Sequence, residues 1–162
     1  MGRIYRVPGN ITVTNAGGDT DLLSVQPADD KPCRLVGWMI GQISEVQDAA
    51  EEGLRLTVRH MTATVTIGSG GSSVTPVPQR PGTDVAAGFT ARINDTTVST
   101  TSGTSTVCEE WGWNIRNAPF IHWIPEEQRL RAVQGEVLIV RNETTPADDI
   151  SAQITFLVEE DG

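Results

Sequence analysis

The residues able to do chemistry in this chain are few and widely spaced. Two histidines, His60 and His122, and two cysteines, Cys33 and Cys108, are its soft metal ligands. Zinc sites are usually built from closely spaced pairs, and no C-x-x-C or H-x-x-x-H occurs here. A Ser-His-Asp mechanism has no G-x-S-x-G turn to carry its nucleophile. The run Gly68-Ser69-Gly70-Gly71 lacks the Lys-Ser/Thr that completes a phosphate loop. Glu109 and Glu110 are neighbours, so on a strand they point to opposite faces and form no acid/base pair without a partner elsewhere. Asp29-Asp30 and Asp148-Asp149 could hold calcium if their two turns met in space; otherwise these short side chains simply make turns. Trp111 and Trp113 share one strand face, a sugar-stacking platform if exposed and core if buried beside Val107 and Ile115. We therefore assign no catalytic residue, no metal site and no cofactor. The chain reads as a non-enzyme whose function lies in its surfaces.

Composition narrows those surfaces. Twelve Lys and Arg against 21 Asp and Glu give a net charge of −9 over 162 residues. Such a chain repels nucleic acid and anionic membrane unless a local basic patch overrides the mean. Lysine occurs only at position 31 and the arginines are scattered, so no patch is visible. The opening Met1-Gly2-Arg3-Ile4-Tyr5-Arg6 has no apolar signal region, and Arg6 stands where a myristoylation motif wants Ser or Thr. No stretch is long and apolar enough to span a bilayer as a helix. Cys33 and Cys108 could pair if their strands faced each other; otherwise they are two buried thiols.

The elements that must position these residues are strands. The central one runs from Cys33 to Glu45 after the turn-rich Pro27–Pro32. One of its faces carries Cys33, Leu35, Met39 and Ile43, and the other Val36, Trp38 and Ile40. With both faces apolar, it needs a cover on each side, one of them a loop or a second subunit. Val36, Trp38 and Ile40 are thus the expected subunit interface. Ile11 and Val13, and Ala152, Ile154, Phe156 and Val158, alternate as half-buried strands, Leu22 to Val25 reads as a short strand, and Glu136–Arg141 is apolar on both faces and reads as central. In Leu54–Ile67 the apolar phase shifts by one after His60, which predicts a β-bulge or a bend between sheets. Gln47–Gly53 reads as a helical turn or an acidic loop, and Pro125-Glu126-Glu127 as the start of a helical turn.

Gly68–Gly88 is different material: a Gly/Ser run followed by Pro76, Pro78 and Pro81. It reads either as a floppy excursion or as an arm that docks on a neighbouring molecule. Residues 1–9, with Arg3, Tyr5 and Arg6, form a second candidate arm. Deleting residues 69–81 is expected to leave the fold intact. The whole chain, residues 1–162, reads as one all-β domain. Its eight or nine strands and long loops favour an antiparallel β-sandwich, a jelly roll first and an immunoglobulin-like sandwich second.

Several stretches together resemble a group of small virion proteins of tailed bacteriophages. They are Met-Gly-Arg-Ile-Tyr-Arg-Val at the start, Pro27-Ala28-Asp29-Asp30-Lys31-Pro32 running into Leu35-Val36-Gly37-Trp38, Ala87-Gly88-Phe89-Thr90-Ala91, Asn94-Asp95-Thr96-Thr97, and Trp113-Asn114-Ile115-Arg116. The likeness is one of layout over nearly the whole chain, without a diagnostic motif. It implies a capsid decoration or cement protein without catalytic residues, made in the host cytoplasm and bound to the outside of the shell. Its partners would be the major capsid protein and copies of itself, as a trimer at a symmetry axis. The rival expectation is a carbohydrate- or receptor-binding jelly roll of a phage tail or fibre, using Trp111 or Trp123 to stack sugars.

Overall fold

A computed structural model describes residues 2–43 and 52–162. Its strands are β1 (Arg3–Val13), β2 (Thr20–Gln26), β3 (Cys33–Gln42), β4 (Gly53–Met61), β5 (Val65–Thr66), β6 (Ser72–Val74), β7 (Val77–Pro78), β8 (Thr90–Ile93), β9 (Thr100–Thr101), β10 (Ser105–Asn114), β11 (Phe120–Trp123), β12 (Arg131–Ala132), β13 (Val137–Asn142) and β14 (Ile150–Glu160). Pro125 leads into a single 3-10 turn, Glu126–Gln128, with two carboxylates in its first turn, as the Pro-Glu-Glu string predicts. Of the segment expected as a helical turn or acidic loop, residues 47–51 lie outside the described residues, and Gly53 opens β4.

The strands form two antiparallel sheets and one small pair. The first sheet has the order β11-β3-β14-β1-β7, with β12 also on β3; the second is β10-β4-β13-β2-β8-β6; β5 pairs with β9. The chain is all-β, and the two large sheets enclose one core. Tyr5, Val7, Ile11, Trp38, Ile154 and Phe156 from the first sheet meet Leu22, Val25, Leu54, Leu56, Leu138 and Val140 from the second. All but Leu22 follow the period-two alternation that places every second side chain on one face; Leu22 is the extra residue of a bulge in β2, between Leu23 opposite Val140 and Asp21 opposite Arg141. β13 is central, as its doubly apolar pattern predicts, with β2 and β4 on its two sides.

Two sequence expectations are corrected here. β3 is apolar in both phases because it contains a bulge: Leu157 stands opposite Gly37 while Val158 stands opposite Leu35, which leaves Val36 as the extra residue. One added residue flips the phase, so Cys33 and Leu35 before it and Trp38 and Ile40 after it enter the same core. In β4 the bulge is absent but the alternative, a bend between sheets, is present. The register with β13 is unbroken from Leu56 to Met61, where β4 ends, and after a bend at Ala63 the chain enters β5 in the separate β5–β9 pair. The phase changes because the outer face gains its own cover: Met61, Val137 and Ile139 form a second small core with Val65 and Ile67. The bulge sits in the neighbouring β10, between Val107 and Glu109, and leaves Val107 exposed instead of sharing the face of Trp113 and Ile115.

Neither expected arm is free. Residues 3–13 pair one by one with residues 160–150 of β14, and the Gly2 amide donates to Glu159 Oε1 at 3.1 Å. Segment 68–88 is a strap across both sheets: β6 pairs with β8 at the edge of the second, and β7 pairs with β1 at the edge of the first. The glycines are needed for the close approach. A Cβ on Gly71 would run into the Ile93 carbonyl oxygen, which holds the strap against β8.

Candidate functional site

The residues expected at a subunit contact, Val36, Trp38 and Ile40, are covered by the chain itself, with Trp38 at 1% exposure. The bulge turns Trp38 and Ile40 inward, and β11 and β12 lie along the outer edge of β3. That surface is not available to a neighbour. The opposite phase of the same strands is the exposed one. Met39 (37%), Ile43 (54%), Ile121 (55%) and Trp123 (55%) are four of the six large apolar side chains that stay exposed among the described residues.

The pairing places them on one sheet face. Across β11, β3, β14 and β1 the rows read Trp123–Gly37–Leu157–Arg6 and Ile121–Met39–Thr155–Pro8, and the next row is Gly41–Gln153–Asn10. None of these positions is a carboxylate, and Arg6 is the only charge. The Trp123 ring lies over Gly37, where an added Cβ would meet ring and backbone atoms, so this glycine lets the indole settle flat on the sheet. The sequence reading missed Ile121, Met39 and Ile43 as surface residues. The two-residue alternation in Phe120–Trp123 was visible, but nothing in it says which phase faces out.

Of the other expected residues, the structure brings five to one edge. Tyr5 stands opposite Pro78 and Arg6 opposite Val77. Arg3 and Arg6 are exposed and Pro76 and Pro78 half-buried, with Pro81 exposed in the turn beyond. Tyr5 is fully buried: its ring packs edge-on against Phe89 at 5.6 Å, and its hydroxyl donates to the Val85 carbonyl at 3.1 Å. The N-terminal segment and the proline segment are therefore parts of one edge.

The titratable groups fall into separate places. His122 sits at the seam where β11 of the first sheet meets β10 of the second, with ring centroids 4.7 Å from Trp38 and 4.4 Å from Trp111, and it stacks on Phe120. Its Nε2 faces Glu109 Oε2 at 3.6 Å. Burial holds Glu109 above its ordinary value and His122 below its own. His60 instead meets Glu136 at 3.0 Å. Burial would raise Glu136, but the Val133 amide and His60 hydrogen bonds with the His60 and Arg131 charges bring it below the ordinary range. Glu110 lies on the other side of β10 from Glu109, paired with Arg55.

Cys33 and Cys108 are free thiols on different sheets, and burial, with the Glu160 and Asp161 charges, pushes Cys33 up to about 12. Asp29-Asp30 precedes the β3 end that pairs with Glu160, whereas Asp148-Asp149 precedes Ile150, so the two turns lie at opposite ends of β14 and share no ion. Among the described residues no group of three or more His, Cys, Asp or Glu is placed to hold a metal. Trp111 is half-buried against Trp38 and Trp113 is buried.

A buried polar network fixes the loops behind the strap. Arg141 donates to Asp21 at 2.6 Å and to the Ser99 carbonyl at 3.0 Å. Asp21 accepts from Ser99 N at 2.7 Å, and Asp95 is held by Arg92 and the Gly71 amide. No protein-family model, curated protein or solved structure matches the chain.

Proposed function

We propose that this chain is a structural protein that decorates and stabilises a tailed-phage capsid, docking on the shell through the outer face of the first sheet. The observation that carries this reading is the make-up of that face. Among the described residues it gathers four of the six large exposed apolar side chains, and its central rows hold no carboxylate in a chain with 21. Apolar area removed from water gives about 25 cal/mol per Å², and an exposed Trp on a rigid strand suits the centre of a protein contact. Decoration acts by mass action, since a protein that binds only the assembled lattice stabilises it. The resemblance in the sequence supplies the capsid setting, on the outside of the virion and as a homotrimer.

The strand order supports the jelly-roll reading. β1-β14-β3-β11 faces β2-β13-β4-β10, the interleaving of two Greek keys, an architecture used by capsid proteins and by lectins. The lectin alternative draws on the exposed Trp123. Its sheet neighbours Gly37, Ile121, Met39 and Leu157 offer no polar side chain to sugar hydroxyls, so a protein partner is better supported.

Cosedimentation with expanded, DNA-free tailed-phage heads tests the reading. The wild type is expected to pellet with heads, and Trp123→Ser/Ile121→Ser to stay in the supernatant with an unchanged melting curve. A wild type that ignores heads, or a double variant that binds them fully, counts against it.

A further inference from the structure

The edge beside this face is cationic, which the composition conceals. Seven of the eleven arginines are ion-paired with carboxylates, and Arg116 also has a partner. Arg3, Arg6 and Arg80 are left, exposed and without an ion pair among the described residues. Pairing collects them at one place. Arg3 and Arg6 lie three apart on β1 and so on its two faces, Arg6 in the Trp123 row and Arg3 in phase with Tyr5 at the strand's end. Arg80 lies two residues beyond Pro78, which stands opposite Tyr5, so the three share the β1–β7 edge rather than one face. The Arg80 turn is tied down: its amide donates to Asp84 Oδ2 at 3.0 Å, and its carbonyl accepts from Thr83 and Asp84 amides at 3.2 and 3.0 Å. Arg3 also lines a groove of about 410 Å³ with Gln79, Asp84 and Glu126. Glu159 is paired with Arg129, and Asp84, though bonded to the Arg80 amide, keeps its charge beside Glu126, so among these described groups three arginines face two unpaired carboxylates. In a chain of net charge −9, this rim carries an excess of cations.

We infer that the β1–β7 rim selects an acidic protein partner, whose carboxylates meet Arg3, Arg6 and Arg80 while its apolar residues cover Trp123, Ile121 and Met39. This rests on the docking reading above and adds the chemistry of the partner. Guanidinium forks match carboxylates two bonds at a time. Phosphate would satisfy the same forks, but a nucleic acid needs a continuing cationic track and has no use for the adjoining apolar rows. An anionic membrane meets the same −9 repulsion over the rest of the molecule.

The test passes the full chain over immobilised poly-L-glutamate, duplex DNA and phosphatidylserine vesicles at about 50 and about 300 mM salt. In parallel it cosediments the chain with heads, untreated or with surface carboxylates amidated by glycinamide. Retention on polyglutamate at low salt is expected, at least about tenfold above the Arg3→Ser/Arg6→Ser/Arg80→Ser variant, and lost at high salt. Amidated heads should bind less than untreated ones. Arg80→Ser alone touches no strand and should give part of the loss should the triple variant fold poorly. Absent retention on polyglutamate, equal retention by these variants, or stronger retention on DNA or vesicles overturns the inference. Arginine-dependent retention without binding to heads leaves it standing and removes the shell reading. Head binding indifferent to the three arginines does the reverse.

Discussion

His122 Nε2 lies 3.6 Å from Glu109 Oε2 across the seam between the two sheets, and neither atom has a hydrogen-bond partner among the described residues. Burial of the pair favours the neutral form of each group, raising Glu109 and lowering His122. Glu109 is raised above 4.5 in the fold, so its contribution is fully present below 4.5 and lost as pH rises through the folded value. His122 is lowered below 6.5, so its contribution is present above 6.5 and lost as pH falls through its folded value. Glu109→Gln should therefore melt higher than wild type at neutral pH, with the advantage shrinking toward pH 4.5. His122→Phe should flatten the loss below 6.5. Calorimetry across that range reads both, and an advantage of Glu109→Gln that is constant with pH would refute the assignment.

The Arg141–Asp21 pair is the buried one, and the Arg55–Glu110 pair the exposed one. Arg141→Met strands a fully buried carboxylate and should cost about 3–5 kcal/mol. Arg55→Met should cost far less, because its bridges to Glu110 and Glu143 are made by an exposed guanidinium that water screens. Urea unfolding compares them directly, and equal costs would mean that the Asp21 network is not closed as described.

Gly37 is expected to control the outer face of the first sheet from beneath. A side chain there collides with the His122 carbonyl and the Trp123 ring, so Gly37→Val should push β11 off the sheet at about 1–3 kcal/mol and shift the tryptophan emission. Gly112→Ala, which meets open space, should change stability by no more than about 0.5 kcal/mol. Unchanged emission in Gly37→Val would place Trp123 elsewhere.

Deleting residues 69–81 removes β6 and β7 and bares an edge of each sheet, contrary to the expectation from sequence. The shortened chain should aggregate or lose its cooperative transition in circular dichroism. By contrast, Pro81→Ser in the exposed turn should fold normally. A soluble, cooperatively folding deletion would show that the strap is dispensable.

Much of the fold was legible from the period of two. Ile11 and Val13, the doubly apolar β13 and the Ala152–Val158 alternation announce their burial, because a strand side chain has two possible faces and only one meets the core. The strap was not legible. Gly, Ser and Pro signal an absence of regular structure, and β6 and β7 are only three and two residues long, held by pairing with distant β8 and β1 rather than by their own propensity.

By itself the sequence determined an all-β chain, its central strand and its acidity. Which apolar side chains stay on the surface was decided by tertiary structure. A single added residue at Val36 reverses every later side chain of β3, taking Trp38 inward and leaving Met39 out. Three arginines scattered in sequence become one rim because β7 returns to lie against β1. Both outcomes depend on register, and register is set by pairing between segments far apart in the chain, which no local pattern of residues encodes.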